Sequence, residues 1–267
     1  MRTRVPITTL ILTATLGGCA EFEPAPEDLD AVLHYAWMHY DAGLDEELDQ
    51  ALENAYAAIE GDPDAEPIEG TLSDLTREAL DTVGMPSDID PGAPAGMLLV
   101  DTLPCTMDQI AAVLTADELA ALYPEEYAVL SRSYTSDATG FRTGAEPVAE
   151  WTTEYHDELL GKAYQRTHHG GGRWVPGVFD RDAIVQRSWL PQPAEWPDSS
   201  TYHWDQDYQL DLYIDAGDGH LTHLLALWRS VGSESLTSDA EFMQTMILRS
   251  KKGWDERTAE LCTDGTF

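Results

Sequence analysis

The spacing of apolar residues changes once along this chain of 267 residues, and the change falls at Pro124. Upstream, apolar side chains recur every three to four positions, the period of a helix with one buried face. Downstream they recur every second position, the period of a strand. In residues 28–40, Leu29, Leu33, Ala36, Trp37 and Tyr40 share a face, and Gly43 breaks the run. Leu44, Leu48, Leu52, Ala55 and Ile59 form a second stripe, with Asp45, Glu46 and Glu47 in the first turn, where the helix dipole favours them. A third helix is expected over 71–83, with Thr71 as its cap and Gly84 and Pro86 at its end. A short apolar run at 97–101 reads as a strand. Thr106 with Gln109 and Thr115 with Glu118 then have the spacing of two capping boxes, each starting a short helix.

After Pro124, strands are expected over 127–134, 148–156, 162–168 and 185–189. The clearest hairpin spans 208–229, where Tyr208, Leu210, Leu212 and Ile214 alternate with Gln209, Asp211, Tyr213 and Asp215 before a glycine-bearing turn. Ser238 with Glu241 marks a closing helix whose Phe242, Met246 and Leu248 would dock on the sheet. The expected class is α+β: N-terminal helices over 28–123, then an antiparallel sheet with a C-terminal helix over 124–267, the two forming one compact unit. The pattern fits both a closed, barrel-like sheet and an open, curved one.

The first residues answer a different question. Arg2 and Arg4 precede an apolar run over 5–16, too short to span a bilayer, and Leu16-Gly17-Gly18-Cys19 follows. This stretch resembles the lipobox of bacterial lipoproteins. The resemblance ends at Cys19 and implies that residues 1–18 are a signal peptide, removed when Cys19 receives its diacylglycerol and acyl chains such as palmitate. Residues 19–27, with Pro24 and Pro26, would then be an acidic tether, and the lipid would hold the protein to a membrane of the bacterial cell envelope. No aspartate follows Cys19, and by resemblance to the sorting rule of enteric bacteria Ala20 points to the outer membrane.

Charge narrows the partners. Asp and Glu number 49 against 15 Lys and Arg, a net charge of −34. Nucleic acid and anionic membrane surfaces are repelled by such a body. The acidity itself has three readings: solubility, a cationic partner, or loosely held calcium. With Cys19 lipidated, Cys105 and Cys262 remain in a compartment that permits disulfides. A bridge between them would close a long loop and contribute on the order of 4 kcal/mol; two free buried thiols are the alternative.

Catalytic constellations are hard to find. His168-His169-Gly170-Gly171-Gly172 resembles the oxyanion-hole loop of lipases and esterases, but no serine has the nucleophile-elbow setting that such a loop serves. A hairpin turn is the expected structure of this run. His220 and His223 would point to opposite faces of a strand, and His34 and His39 sit poorly for one metal on a helix. Asp62, Asp64 and Glu66 begin like a calcium loop, but Pro67 stands where the turn needs glycine. No metal site and no cofactor is expected. Residues 127–232 hold 15 of the 24 aromatic residues, enough either to fill a sheet's core or to line a pocket for an apolar ligand. The function expected is non-enzymatic, binding a protein partner or an apolar ligand, or purely structural. The alternative is an envelope hydrolase with a site assembled from His156, His168, His169 and an acidic partner.

Overall fold

The computed structural model describes residues 22–41, 45–59, 67–124, 128–159, 162–197, 202–215, 217, 219–233 and 240–267. Cys19, Ser238 and the calcium-like residues Asp62, Asp64 and Glu66 lie outside them. The elements run α1 (Leu29–His39), α2 (Asp45–Ala58), β1 (Ile68–Leu72), α3 (Arg77–Asp81), β2 (Ala95–Leu103), α4 (Met107–Leu114), α5 (Leu119–Leu122), β3 (Val129–Tyr134), α6 (Ala138–Arg142), β4 (Val148–Leu159), β5 (Lys162–Val178), β6 (Arg181–Trp189), β7 (Tyr202–Asp215), β8 (Leu221–Ser233) and α7 (Ala240–Thr263). The class is α+β, with N-terminal helices, one antiparallel sheet and a C-terminal helix. The eight strands lie in the order β1-β2-β8-β7-β6-β5-β4-β3. Among the described residues β1 and β3 pair on one side only, so the sheet is open.

Both faces of this sheet are covered. On one, Tyr208, Leu210, Leu212 and Ile214 of β7 meet Leu224, Ala226 and Trp228 of β8 under α1 and α2, in one large apolar core. Trp37 of α1 anchors that core, edge-on to Tyr208 and Trp228, with its indole N–H donating to the Ala79 carbonyl at 3.0 Å. Arg187 of β6 is buried beneath the end of α1, where it donates to the Trp37 carbonyl and pairs with Asp41. On the opposite face, Met97, Leu99, Leu225 and Leu227 receive Leu248 of α7, and α4 and α6 pack beside them through Ile110, Leu114 and Phe141. Cys105 and Cys262 lie at bonding distance, S–S 2.13 Å, tying the entry to α4 to the last turn of α7.

Local signals explain most boundaries. Asp28 caps α1 by accepting from the Ala31 N–H, and Thr106 and Gln109 close a reciprocal capping box on α4. Three expectations need correction. Thr71 is not a helix cap: it lies in β1 opposite Met97, and the shorter helix α3 is capped by Thr76. The stretch read as one helix therefore opens with the end of strand β1, which pairs along β2 and covers the edge of the apolar run around Met97. Thr115 does not open α5 but ends α4: its hydroxyl donates to the Ala111 carbonyl and accepts from Arg142, so it is not available to cap. Phe242 does not dock on the sheet; it is exposed near the start of α7, where Met243 turns inward instead.

Candidate functional site

Strands β3 to β8 and helix α7 do not close on each other completely. Between them, with α4 and α5 at one side, lies a cavity of about 460 Å³. From α7 it receives Met243, Met246, Ile247, Ser250, Lys251 and Trp254, residues three or four apart that one helical face brings together. From the sheet it receives every second residue of each strand: Thr153 and Tyr155 of β4, Tyr164, Arg166 and His168 of β5, Gln186 and Ser188 of β6, Gln209, Asp211 and Tyr213 of β7, His223, Leu225 and Arg229 of β8. A bulge between Trp204 and Gln206 resets the alternation in β7, which turns Trp204 to the cavity as well. The helix side is largely apolar and the sheet side largely polar.

The polar side contains two clusters of buried charge. In the first, Asp207 is 1% exposed and accepts from Arg229 Nε at 3.1 Å, Arg229 Nη2 at 2.9 Å and Arg166 Nη1 at 3.2 Å. Burial alone would raise its pKa, but the Arg229 and Arg166 guanidiniums outweigh it and hold the carboxyl below the usual range. Arg166 also lies between two rings, 4.2 Å from the centroid of Tyr155 and 4.1 Å from that of Trp204. Its Nη1 is 3.2 Å from His168 Nε2. The same Nε2 lies 3.4 Å from Asp207 Oδ2, and a neutral ring can accept from Arg166 there. Burial and the neighbouring Arg166 both push its pKa well below 6.5, which agrees with that geometry.

The second cluster has the opposite logic. His223 directs Nδ1 to Asp255 Oδ1 at 2.8 Å and Nε2 to Asp211 Oδ1 at 3.1 Å. Ionised carboxylates accept only, so both nitrogens donate and the ring is an imidazolium. Burial opposes the charge, but Asp255 and Asp211 more than compensate and lift the pKa to about 10. The ring stacks flat on Tyr213, with centroids 4.6 Å apart. Gln186 and Gln209 donate to Asp211 as well, and Gln209 Oε1 accepts from Lys251 Nζ at 2.7 Å. Burial and then Arg229 lower the Lys251 pKa to about 8, against the pull of Asp211 and Asp207. Lys251 thus stands between the two clusters.

The three histidines weighed as a hydrolytic site do not converge. His168 faces the cavity, whereas His169, next to it on β5, is exposed on the other face beside Trp189. His156 pairs with Gln165 at an alternate position of β4 and is also exposed there. His220 precedes β8 and is exposed, while His223 is buried. Among the described residues no group of three or more His, Cys, Asp or Glu is placed to hold a metal ion.

The glycines after His169 are not a turn, and this expectation is corrected too. Gly170, Gly171 and Gly172 lie inside β5, paired on one side with Trp151, Glu150 and Ala149 and on the other with Ser188, Arg187 and Gln186. A Cβ at Gly171 would stand 2.6 Å from the Ala149 carbonyl oxygen, and one at Gly172 2.8 Å from the tip of Phe141. Glycine is used here for close approach of neighbours. The parity of Tyr164, His168 and Trp174 runs unbroken across the glycines, a signal in the sequence that β5 continues through them.

No family model matches the chain, and no curated protein matches it. Among solved structures, human StAR-related lipid transfer protein 5 is similar over 84% of this chain and 98% of its own, at 7% identity and a TM-score of 0.46. A fragment of a STAR-related lipid transfer protein from Xanthomonas axonopodis is similar over 64% and 89%, at 10% identity and a TM-score of 0.43. A START superfamily protein from Mycobacterium smegmatis is similar over 63% and 97%, at 10% identity and a TM-score of 0.42. At these identities the likeness concerns the course of the chain alone.

Proposed function

We propose that this protein is a lipid-anchored protein of the bacterial envelope that binds a small amphipathic molecule between its sheet and α7 without transforming it. The observation that carries the ligand is the cavity of about 460 Å³, which falls in the range of small-molecule sites, roughly 300–1,000 Å³. Its two sides differ in the way an amphiphile does. Met243, Met246, Ile247 and Leu225 offer apolar contact, and the flexible methionines suit a chain of variable shape. Facing the helix are Arg166 and Gln209 of the sheet, and Lys251 stands on α7 beyond Ile247. A purely structural role would need no such space, and a hydrolytic one lacks the convergence of His156, His168 and His169 described above. The aromatic residues of β4, β5 and β7 serve as cavity wall as well as core.

The anchor rests on the lipobox resemblance of residues 16–19, and the outer-membrane position on Ala20 after the cysteine, by resemblance to the sorting rule of enteric bacteria. Two measurements test the reading. The intact mass of the membrane-extracted chain is expected to lack residues 1–18 and to carry acyl chains, and Cys19→Ala is expected to abolish both. Native mass spectrometry is expected to find a bound small molecule that leaves on denaturation. A bare native mass, with no change on adding amphiphiles of several head groups, would overturn the ligand reading.

A further inference from the structure

The geometry points to a ligand with a single carboxylate head, held by Lys251 at the polar end of the cavity, with its hydrocarbon against α7. The inference rests on the amphiphile reading above and adds the head group. Its basis is a charge count within an acidic protein. The two buried clusters and the lysine between them hold four cations, Arg166, Arg229, Lys251 and the His223 imidazolium. Against these stand three carboxylates, Asp207, Asp211 and Asp255. One positive charge is left over among these most buried groups; Arg132, Asp157 and Glu158, also on the wall, and Asp101 beside Asp255 are in part open to water and screened by it. A monoanion neutralises that charge. A neutral head leaves the excess in place, and a dianion reverses it.

Saturation of the other groups locates the head. Asp207 uses both oxygens on guanidinium groups, and His223 uses both nitrogens on carboxylates. Lys251 is different. An ammonium has three donors, and among the described residues one protein acceptor is in hydrogen-bond reach, Gln209 Oε1. Its stem rises from the same face of α7 as Met243, Ile247 and Trp254, so a chain packed on Met243 and Ile247 lies beside its ammonium. Ser250, also on the cavity wall, is the neighbouring residue on that helix.

The test compares decanoate with decanol on the full chain in lipid nanodiscs, with empty nanodiscs as the blank. Trp151, Trp204 and Trp254 line the cavity, so intrinsic fluorescence reports occupancy. Decanoate is expected to bind at least about tenfold more tightly than decanol, the range of one charge-assisted hydrogen bond. Lys251→Met is expected to erase that preference by weakening decanoate binding at least about tenfold, and Lys251→Arg to keep it, which separates loss of charge from loss of fold. Equal binding of acid and alcohol, or a preference that survives Lys251→Met, would overturn the carboxylate assignment and leave the amphiphile reading standing. Binding of neither would overturn both.

Discussion

Raising the pH from 6.5 to 8 is expected to destabilise this protein by about 2 kcal/mol through His223. The ring is 3% exposed and donates to Asp255 and Asp211, so it keeps its proton in the fold to about pH 10, against 6.5 for the free side chain. A group whose pKa is raised by folding contributes fully below the unfolded value, and the contribution is lost as pH climbs toward the folded value. At about 1.4 kcal/mol per pH unit, the step from 6.5 to 8 removes about 2 kcal/mol. Lys251 then acts with the opposite sign. Its pKa falls from 10.5 to about 8 on folding, so above pH 8 the unfolded chain holds the extra proton and stability rises with pH. The two slopes cancel up to about pH 10, and the profile should fall and then level. Urea unfolding at a series of pH values reads it directly. The control is His223→Gln with Asp255→Asn, which removes the imidazolium and its nearer carboxylate together; Asp211 keeps the amide donors of Gln186 and Gln209. This variant should show no fall between 6.5 and 8. A fall of the same size in it, or none in the natural protein, would refute the double-donor imidazolium.

Asp207→Asn leaves Arg166 and Arg229 buried without their shared carboxylate and should cost about 3–5 kcal/mol in urea unfolding. His168→Gln, which keeps an acceptor for Arg166, should cost under about 1.5 kcal/mol; a larger loss would argue that His168 is charged. Gly171→Ala meets a backbone carbonyl that cannot turn aside, whereas Gly172→Ala meets the end of the Phe141 ring. The first should lower stability by more than the second, within about 1–3 kcal/mol for overpacking of this kind, and the order is checked by thermal unfolding. Decanoate must approach against the field of a chain of charge −34 before it meets Lys251. Its association rate by stopped-flow fluorescence should therefore rise with added salt, which screens the exterior more than the buried contacts. A rate that falls with salt would mean that the approach is steered by cations.

The change of period at Pro124 was enough to place the N-terminal helices before most of the sheet and to find the 208–229 hairpin, because Tyr208, Leu210 and Leu212 alternate into the apolar core under α1 and α2. Capping geometry identified α4 from Thr106 and Gln109 for the same local reason. What escaped was any feature whose meaning depends on a second layer. Gly170 to Gly172 read as a turn because glycine is permissive, yet here each makes room for an atom from another element. Gln209 and Asp211 were legible only as the polar half of an alternation, and His223 only as a poor metal partner for His220, since polar alternation looks the same whether it faces water or a charged cavity. On α7 the sequence pointed to Phe242, Met246 and Leu248 rather than to the face carrying Met243, Ile247, Lys251 and Trp254, and nothing local tells that a sheet will leave space beneath it.

The pairing of Cys105 with Cys262 has a topological consequence. Every residue that lines the cavity, from Val113 to Trp254, lies between these two cysteines. The binding compartment is thus a closed covalent circle, whereas α1, α2, α3, β1 and β2 precede it as an open tail. A protease that cuts once in any loop of the circle severs the chain without parting it, and only reduction would release the pieces. The tail has no such protection: a cut between α2 and β1 frees the first two helices outright. Against proteolysis, the covalent safeguard covers the part of the molecule that surrounds the cavity.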